Sequence, residues 1–165
     1  MKKILLLISI AFIFTQFSIA GDKVDLKWRK FDEGVAEAKK TKKKILLDVY
    51  ADWCKWCKKL DAEVYTDSKV ASYLNKYYVL IKVNGESNDR LTHKNQRMTE
   101  EQLARVFGVT GFPTIIFLDS NAEIIDKLGG FVAADRFLPI IQYIGEDYYK
   151  KMKWDEFLEK KVGKK

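Results

Sequence analysis

The only two cysteines of this chain stand three residues apart, in Cys54-Lys55-Trp56-Cys57, directly after an apolar run. That run, Ile45-Leu46-Leu47-Asp48-Val49-Tyr50, is rich in branched and aromatic residues and reads as a buried strand. Lys58-Lys59-Leu60-Asp61-Ala62-Glu63-Val64 follows, with Cys57, Leu60 and Val64 spaced for one helical face. The thiols are therefore expected where a strand turns into the N-terminus of a helix. Free backbone N–H groups and the helix dipole stabilise a thiolate at such a place. Cys54, at the helix start, is expected to have the lowered pKa and to be the attacking nucleophile. Cys57, one turn in, is expected to be more buried and to resolve the mixed disulfide. Lys55 and Lys58 add positive charge that acts in the same direction.

A structural role suits the pair poorly. A bridge closing a four-residue loop gains roughly 2 kcal/mol, against about 3 kcal/mol for fifteen residues. A closed zinc site needs four ligands, and the chain offers two cysteines and a single histidine, His93, far along in a polar stretch. Redox exchange is the reading that remains, with Cu(I) binding by the two thiolates as an alternative.

Asp48-Val49-Tyr50-Ala51-Asp52-Trp53-Cys54-Lys55-Trp56-Cys57-Lys58 resembles the active-site segment of the thioredoxin superfamily. The Tyr-Ala-Asp-Trp-Cys form is similar to the C-terminal domain of the transmembrane reductant conductor DsbD and to small periplasmic thioredoxin-like proteins. Gly111-Phe112-Pro113-Thr114 matches the family's Gly-x-Pro-Thr loop, whose proline is cis and faces the cysteines. The resemblance runs roughly from Leu46 to Phe137. It implies an α/β, thioredoxin-like fold: a central mixed sheet of about four to five strands flanked by helices, here with a short extra C-terminal helix. The chain departs from the pattern between the cysteines, where thioredoxins carry Gly-Pro and this sequence carries Lys55-Trp56, so potential and partner choice stay open.

Met1-Lys2-Lys3 followed by apolar Ile4 to Phe14, with Ser18-Ile19-Ala20 at a cleavage position, reads as a cleavable secretory signal peptide over residues 1–20. Residues 21–165 then form a single domain, exported, and periplasmic if the source is a Gram-negative bacterium. Cleavage lowers the formal net charge from +7 to +5. The lysine runs at 39–44, 150–151 and 160–165 read as loop and terminal charges rather than a nucleic-acid surface, since an exported protein rarely meets nucleic acid; an acidic partner protein or an anionic membrane surface is the alternative. Disulfides persist outside the cytosol, yet no cysteine exists beyond the CxxC, which favours exchange over a disulfide scaffold.

The remaining periodicities predict a helix over 31–40, a strand over 78–83 parallel to the first, and a polar surface loop over 85–98. Thr99-Glu100-Glu101-Gln102 reads as a capping box opening a helix. A strand over 114–118 and a hairpin to 123–128 follow, then a helix over 134–144 in which Pro139 is expected to produce a kink or a later first turn. Trp154, Phe157 and Leu158 suggest the short C-terminal helix.

Several residues are expected to support the thiols. Asp48 lies where the family keeps a buried acid; burial raises a carboxyl pKa, and the group then suits proton exchange with a thiol. Lys82 stands near the family's lysine beside that acid, with a solvated strand-end charge as the equal alternative. The resemblance implies that Pro113 presents the backbone of Phe112 to an extended substrate segment. Trp53 and Trp56 are expected to form an apolar rim, Trp53 partly in the core and Trp56 exposed for substrate contact, while His93 reads as a solvated loop residue. A monomer without cofactor or metal is expected; the resemblance implies that it reduces a disulfide-containing protein substrate, and export then requires a membrane reductant conductor of DsbD type to recharge it. A disulfide-forming oxidant or isomerase uses the same fold, although an oxidase of the DsbA type carries a large helical insertion for which this chain has no room.

Overall fold

A computed structural model describes residues 24–163; the export segment read over residues 1–20 lies outside them. Five strands form one mixed sheet: β1 (Trp28–Arg29), β2 (Lys44–Tyr50), β3 (Tyr78–Asn84), β6 (Thr114–Leu118) and β7 (Ile124–Gly129), in the order β1-β3-β2-β6-β7. β2 and β3 are parallel, while β6 runs antiparallel to β2 and β7 antiparallel to β6. The parallel pair is joined through α2 (Lys55–Glu63) and α3 (Ser68–Tyr77), the crossover that parallel strands require.

Alternation along β2 decides what lies beneath the thiols. Ile45, Leu47 and Val49 face a layer with Phe31 of α1 (Phe31–Thr41) and Leu103 of α4 (Glu100–Val106). Leu46 faces the other layer, with Leu60, Leu74, Phe137 and Ile141 from α2, α3 and α5 (Ala134–Gly145). Successive strand side chains point to opposite faces, so Asp48 shares the face of Leu46, under α2. β2 is the middle strand and is buried on both faces, which explains its nearly continuous apolar sequence.

Three expectations need correction. The polar stretch 85–98 is no open loop: β4 (Arg90–His93) and β5 (Gln96–Thr99) form an antiparallel hairpin. Its two-residue turn, Lys94-Asn95, has positive φ at both positions, the geometry that matches strand twist. Only Leu91, His93, Met98 and Thr99 of this hairpin turn inward, too few to show as a strand pattern. His93 is accordingly not solvated. It is 7% exposed, between the rings of Phe31 and Phe107, and burial holds its pKa below the ordinary value. Pro139 does not mark a later first turn: α5 runs from Ala134 to Gly145 with the proline at its sixth position.

The capping box opens α4 as read: the Thr99 hydroxyl accepts the Gln102 amide at 3.1 Å, and the Gln102 side chain accepts the Thr99 amide at 2.8 Å. The C-terminal extension forms α6 (Trp154–Phe157), continued by a π-helical turn over Leu158–Val162. It docks on α5 through the rings of Tyr143, Trp154 and Phe157. Among the described residues, no helix is long and apolar enough to cross a membrane.

Candidate functional site

Cys54 is the N-cap of α2, and its Sγ accepts the Cys57 amide N–H at 3.0 Å. The two cysteines form a disulfide with Cα atoms 5.3 Å apart. The same amide and the positive end of the helix would stabilise a Cys54 thiolate once the bridge opens. The expected difference in burial is not seen: Cys54 is 2% exposed and Cys57 4%. In the disulfide both are walled by Ala51, Tyr50 and Phe112, so exposure does not distinguish the two sulfurs, whereas the amide at the helix terminus does.

The wall comes from the end of the sheet. Thr114 pairs with Val49, which sets Pro113 across from the end of β2, where the CxxC begins. The Phe112–Pro113 peptide is cis, and the Pro113 carbonyl accepts the Gly130 amide at 2.8 Å. The Phe112 ring seats over Gly85, where a Cβ would lie 2.5 Å from a ring carbon; only a residue without a side chain admits it.

Both tryptophans stand out of the surface, Trp53 at 66% and Trp56 at 57% exposure. Trp53 is thus no core residue. Its Nε1–H donates to Glu86 at 2.8 Å, and its ring meets Phe112 edge-on at 6.0 Å. Trp56 leans on Phe131 with ring centroids 5.5 Å apart. Two aromatic pairs therefore flank an otherwise enclosed disulfide. Lys55 is exposed at the first position of α2.

Beneath α2 lies a charged cluster. Asp48 is 1% exposed; Oδ1 has no hydrogen-bond partner among the described residues, and Oδ2 lies 3.7 Å from Lys82 Nζ. Burial raises this carboxyl from 3.8 to about 7, Lys82 opposing the rise and Asp61 adding to it. Lys82 is neither a free strand-end charge nor committed to Asp48. Its Nζ donates to both Asp61 oxygens, at 2.5 and 2.6 Å, and sits over the rings of Trp28 and Tyr50. Asp61 and Tyr65 escaped the sequence reading. Asp61 was within reach of it, since it follows Cys57 by four residues and so shares its helical face. Tyr65 is buried near Asp48, and its pKa is held well above 10, first by burial and then by the charges of Asp48 and Asp61.

The arrangement makes Lys82 shared between two carboxylates. Asp61→Asn is expected to leave Lys82 to Asp48 alone and to remove one negative neighbour, so that the Asp48 carboxyl titrates below about 7. Carboxyl-carbon NMR titration of Asp48 measures this; an unchanged midpoint contradicts the coupling.

Comparison with known proteins agrees with this geometry. A profile of the thioredoxin-like domain matches residues 31–145. Over 98 residues the chain is 33% identical to the thiol:disulfide interchange protein DsbD of Actinobacillus pleuropneumoniae, covering 58% of this chain and 15% of that protein. Over 106 residues it is 24% identical to the disulfide bond reductase DsbH of Chlamydia pneumoniae, covering 64% and 63%. A solved thioredoxin-fold protein of Helicobacter pylori superposes with a TM-score of 0.60 at 25% identity, over 74% of this chain and 81% of that one. The chain spans only 15% to 19% of the length of the DsbD relatives it matches. With the domain profile covering most of the described residues, and the CxxC at the start of α2 beside the Phe112–Pro113 loop, the chain belongs to the thioredoxin-like family.

Proposed function

We propose that this protein is an exported thiol–disulfide oxidoreductase that reduces disulfides in protein substrates. One observation carries the reading: the disulfide sits at a helix N-terminus with a backbone amide on Cys54 Sγ, between exposed aromatic side chains. In the reduced protein, Cys54 thiolate attacks one sulfur of the substrate disulfide. That S–S bond breaks, a Cys54–substrate bond forms, and the other substrate sulfur leaves as a thiolate. Cys57 then loses its proton and attacks Cys54 Sγ, closing the internal disulfide and releasing the second substrate thiolate. Two electrons have passed to the substrate, whose thiolates take up protons.

Asp48 is the group proposed to accept the Cys57 proton. Asp48 lies on the face of β2 that α2 covers, and Lys82 links it to Asp61, which shares the helical face of Cys57; this supports the assignment. A carboxyl titrating near 7 suits proton transfer at neutral pH. Trp53, Trp56, Phe112 and Pro113 form the proposed substrate-binding rim, and Lys55 with Lys82 tunes the site.

The reductive direction draws on the names of the relatives, one an interchange protein and the other a disulfide bond reductase. Residues 1–20 supply the proposed export signal, and a membrane conductor of DsbD type the electrons that recharge the exported domain. Equilibration with glutathione tests the direction. The expected potential lies nearer that of thioredoxin, about −270 mV, than that of DsbA, about −120 mV. A value near the second would reverse the proposed flow.

A further inference from the structure

A groove of about 760 Å³ runs between β7, α5 and α6, with Leu128, Phe131, Val132, Ile140, Tyr143 and Trp154 among its walls. None of the steps above uses it. Three features say what it accommodates.

First, it opens from the rim of the reactive disulfide. Phe131, against which Trp56 leans, is one of its lining residues. Gly130, the residue before Phe131, donates its amide to the Pro113 carbonyl. A polypeptide held at Cys54 and passing over Trp56 therefore meets Phe131, a wall of the groove.

Second, the groove follows the outer edge of the sheet. Among the described residues β7 is the terminal strand, paired only with β6. Three consecutive β7 residues, Asp126, Lys127 and Leu128, line the groove, although alternate side chains face opposite ways. The Lys127 side chain crosses to the other face, where Nζ donates to the Phe107 carbonyl at 2.9 Å. What Lys127 offers the groove is its main chain. A strand edge is a template for an added extended segment. Across the groove, Pro139 has no N–H to give the Asp135 carbonyl one turn earlier, and both residues line the wall.

Third, the far wall is braced. Tyr143 donates its hydroxyl to the Met152 carbonyl at 2.7 Å, and the Tyr143 and Trp154 rings meet at 5.2 Å. The C-terminal extension thus holds the groove open beside α5.

We propose that this groove binds the segment flanking the target cysteine of a protein substrate, as an extended stretch carrying apolar side chains laid along β7. The proposal rests on the oxidoreductase reading and names its substrate class: disulfides next to exposed apolar chain, as in incompletely folded proteins. β7 has six residues, so about five or six substrate residues fit along it at roughly 3.3 Å each. A second copy of this chain bound at the same edge would cover the rim beside Cys54, which the proposed exchange needs open.

The test uses two synthetic peptides with the same internal disulfide. One carries Val, Phe, Ile and Leu arms on both sides, the other Ser and Gly arms. The pre-reduced protein is mixed with each, and the second-order rate constant of reduction is measured. The apolar arms are expected to raise that constant at least about tenfold, since burying two or three apolar side chains suffices for such a factor. Ile140→Asp and, separately, Val132→Asp are expected to bring the ratio of the two constants below about twofold. Both constants come from one preparation, so partial loss of folded or reduced protein cancels in the ratio. A wild-type ratio near one, or a ratio that survives both substitutions, overturns the proposal. So does concentration-dependent dimerisation in sedimentation that Ile140→Asp abolishes, since a second copy then occupies the groove. Failure to reduce either peptide overturns instead the oxidoreductase reading beneath it.

Discussion

Oxidised Asp48→Asn protein is expected to keep its stability on going from pH 4 to pH 8 where the wild type loses about 2–4 kcal/mol. The reason is linkage. The folded chain holds a proton on Asp48 from the ordinary carboxyl value of 3.8 up to about 7, and the unfolded chain releases it. The native state therefore binds more protons across that window, and stability falls as pH rises through it and stays low above. Moving a carboxyl from 3.8 to about 7 corresponds to about 4 kcal/mol between its two forms. An amide has no proton to lose. Denaturant unfolding at both pH values measures the difference, and parallel loss in the two proteins would contradict a buried, protonated Asp48. The same substitution is expected to slow the closing attack of Cys57 on the mixed disulfide by about a hundredfold at pH 7, the lower range for removal of a general base. Loss of activity with a gain in stability is the signature of a group kept for chemistry against the interest of the fold.

Much of this arrangement was legible in the residues, and the parts that were not have physical reasons. The strand–CxxC–helix junction declared itself because three periodicities meet there: the apolar run of β2, the cysteine spacing, and the Cys57, Leu60 and Val64 stripe. Asp48 stood out as the one carboxylate in a strand buried on both faces. The β4–β5 hairpin hid because its two strands have four residues each and few inward side chains. His93 went with it: one inward histidine among polar neighbours carries no local mark of burial. β1 is two residues long and gave no pattern at all. Trp53 misled in the other direction, since an indole N–H bonded to Glu86 and a ring against Phe112 let a large apolar residue stay at the surface. Phe131 could not be found, because its contact with Trp56 joins segments far apart in the chain.

Cys54→Ser is expected to lower disulfide reduction at least a thousandfold, roughly the loss when a nucleophile is removed. Cys57→Ser is expected to stop turnover as completely but for another reason: the first exchange proceeds and the second cannot. The difference follows from the helix terminus. The amide of residue 57 still points at Cys54 Sγ when the side chain at 57 is changed, so the attacking thiolate keeps its stabilisation. A thiolate at Cys57 lies one turn inside α2, without that position at the cap. Chemical asymmetry between two equally buried sulfurs is therefore the central claim about the site. Its most direct measurement is mass spectrometry of the acid-quenched adducts formed when each reduced single-cysteine protein meets a disulfide peptide. A covalent adduct accumulating on Cys54 in Cys57→Ser, with little or none on Cys57 in Cys54→Ser, is the predicted result; equal adducts on both, or none on Cys54, would contradict it.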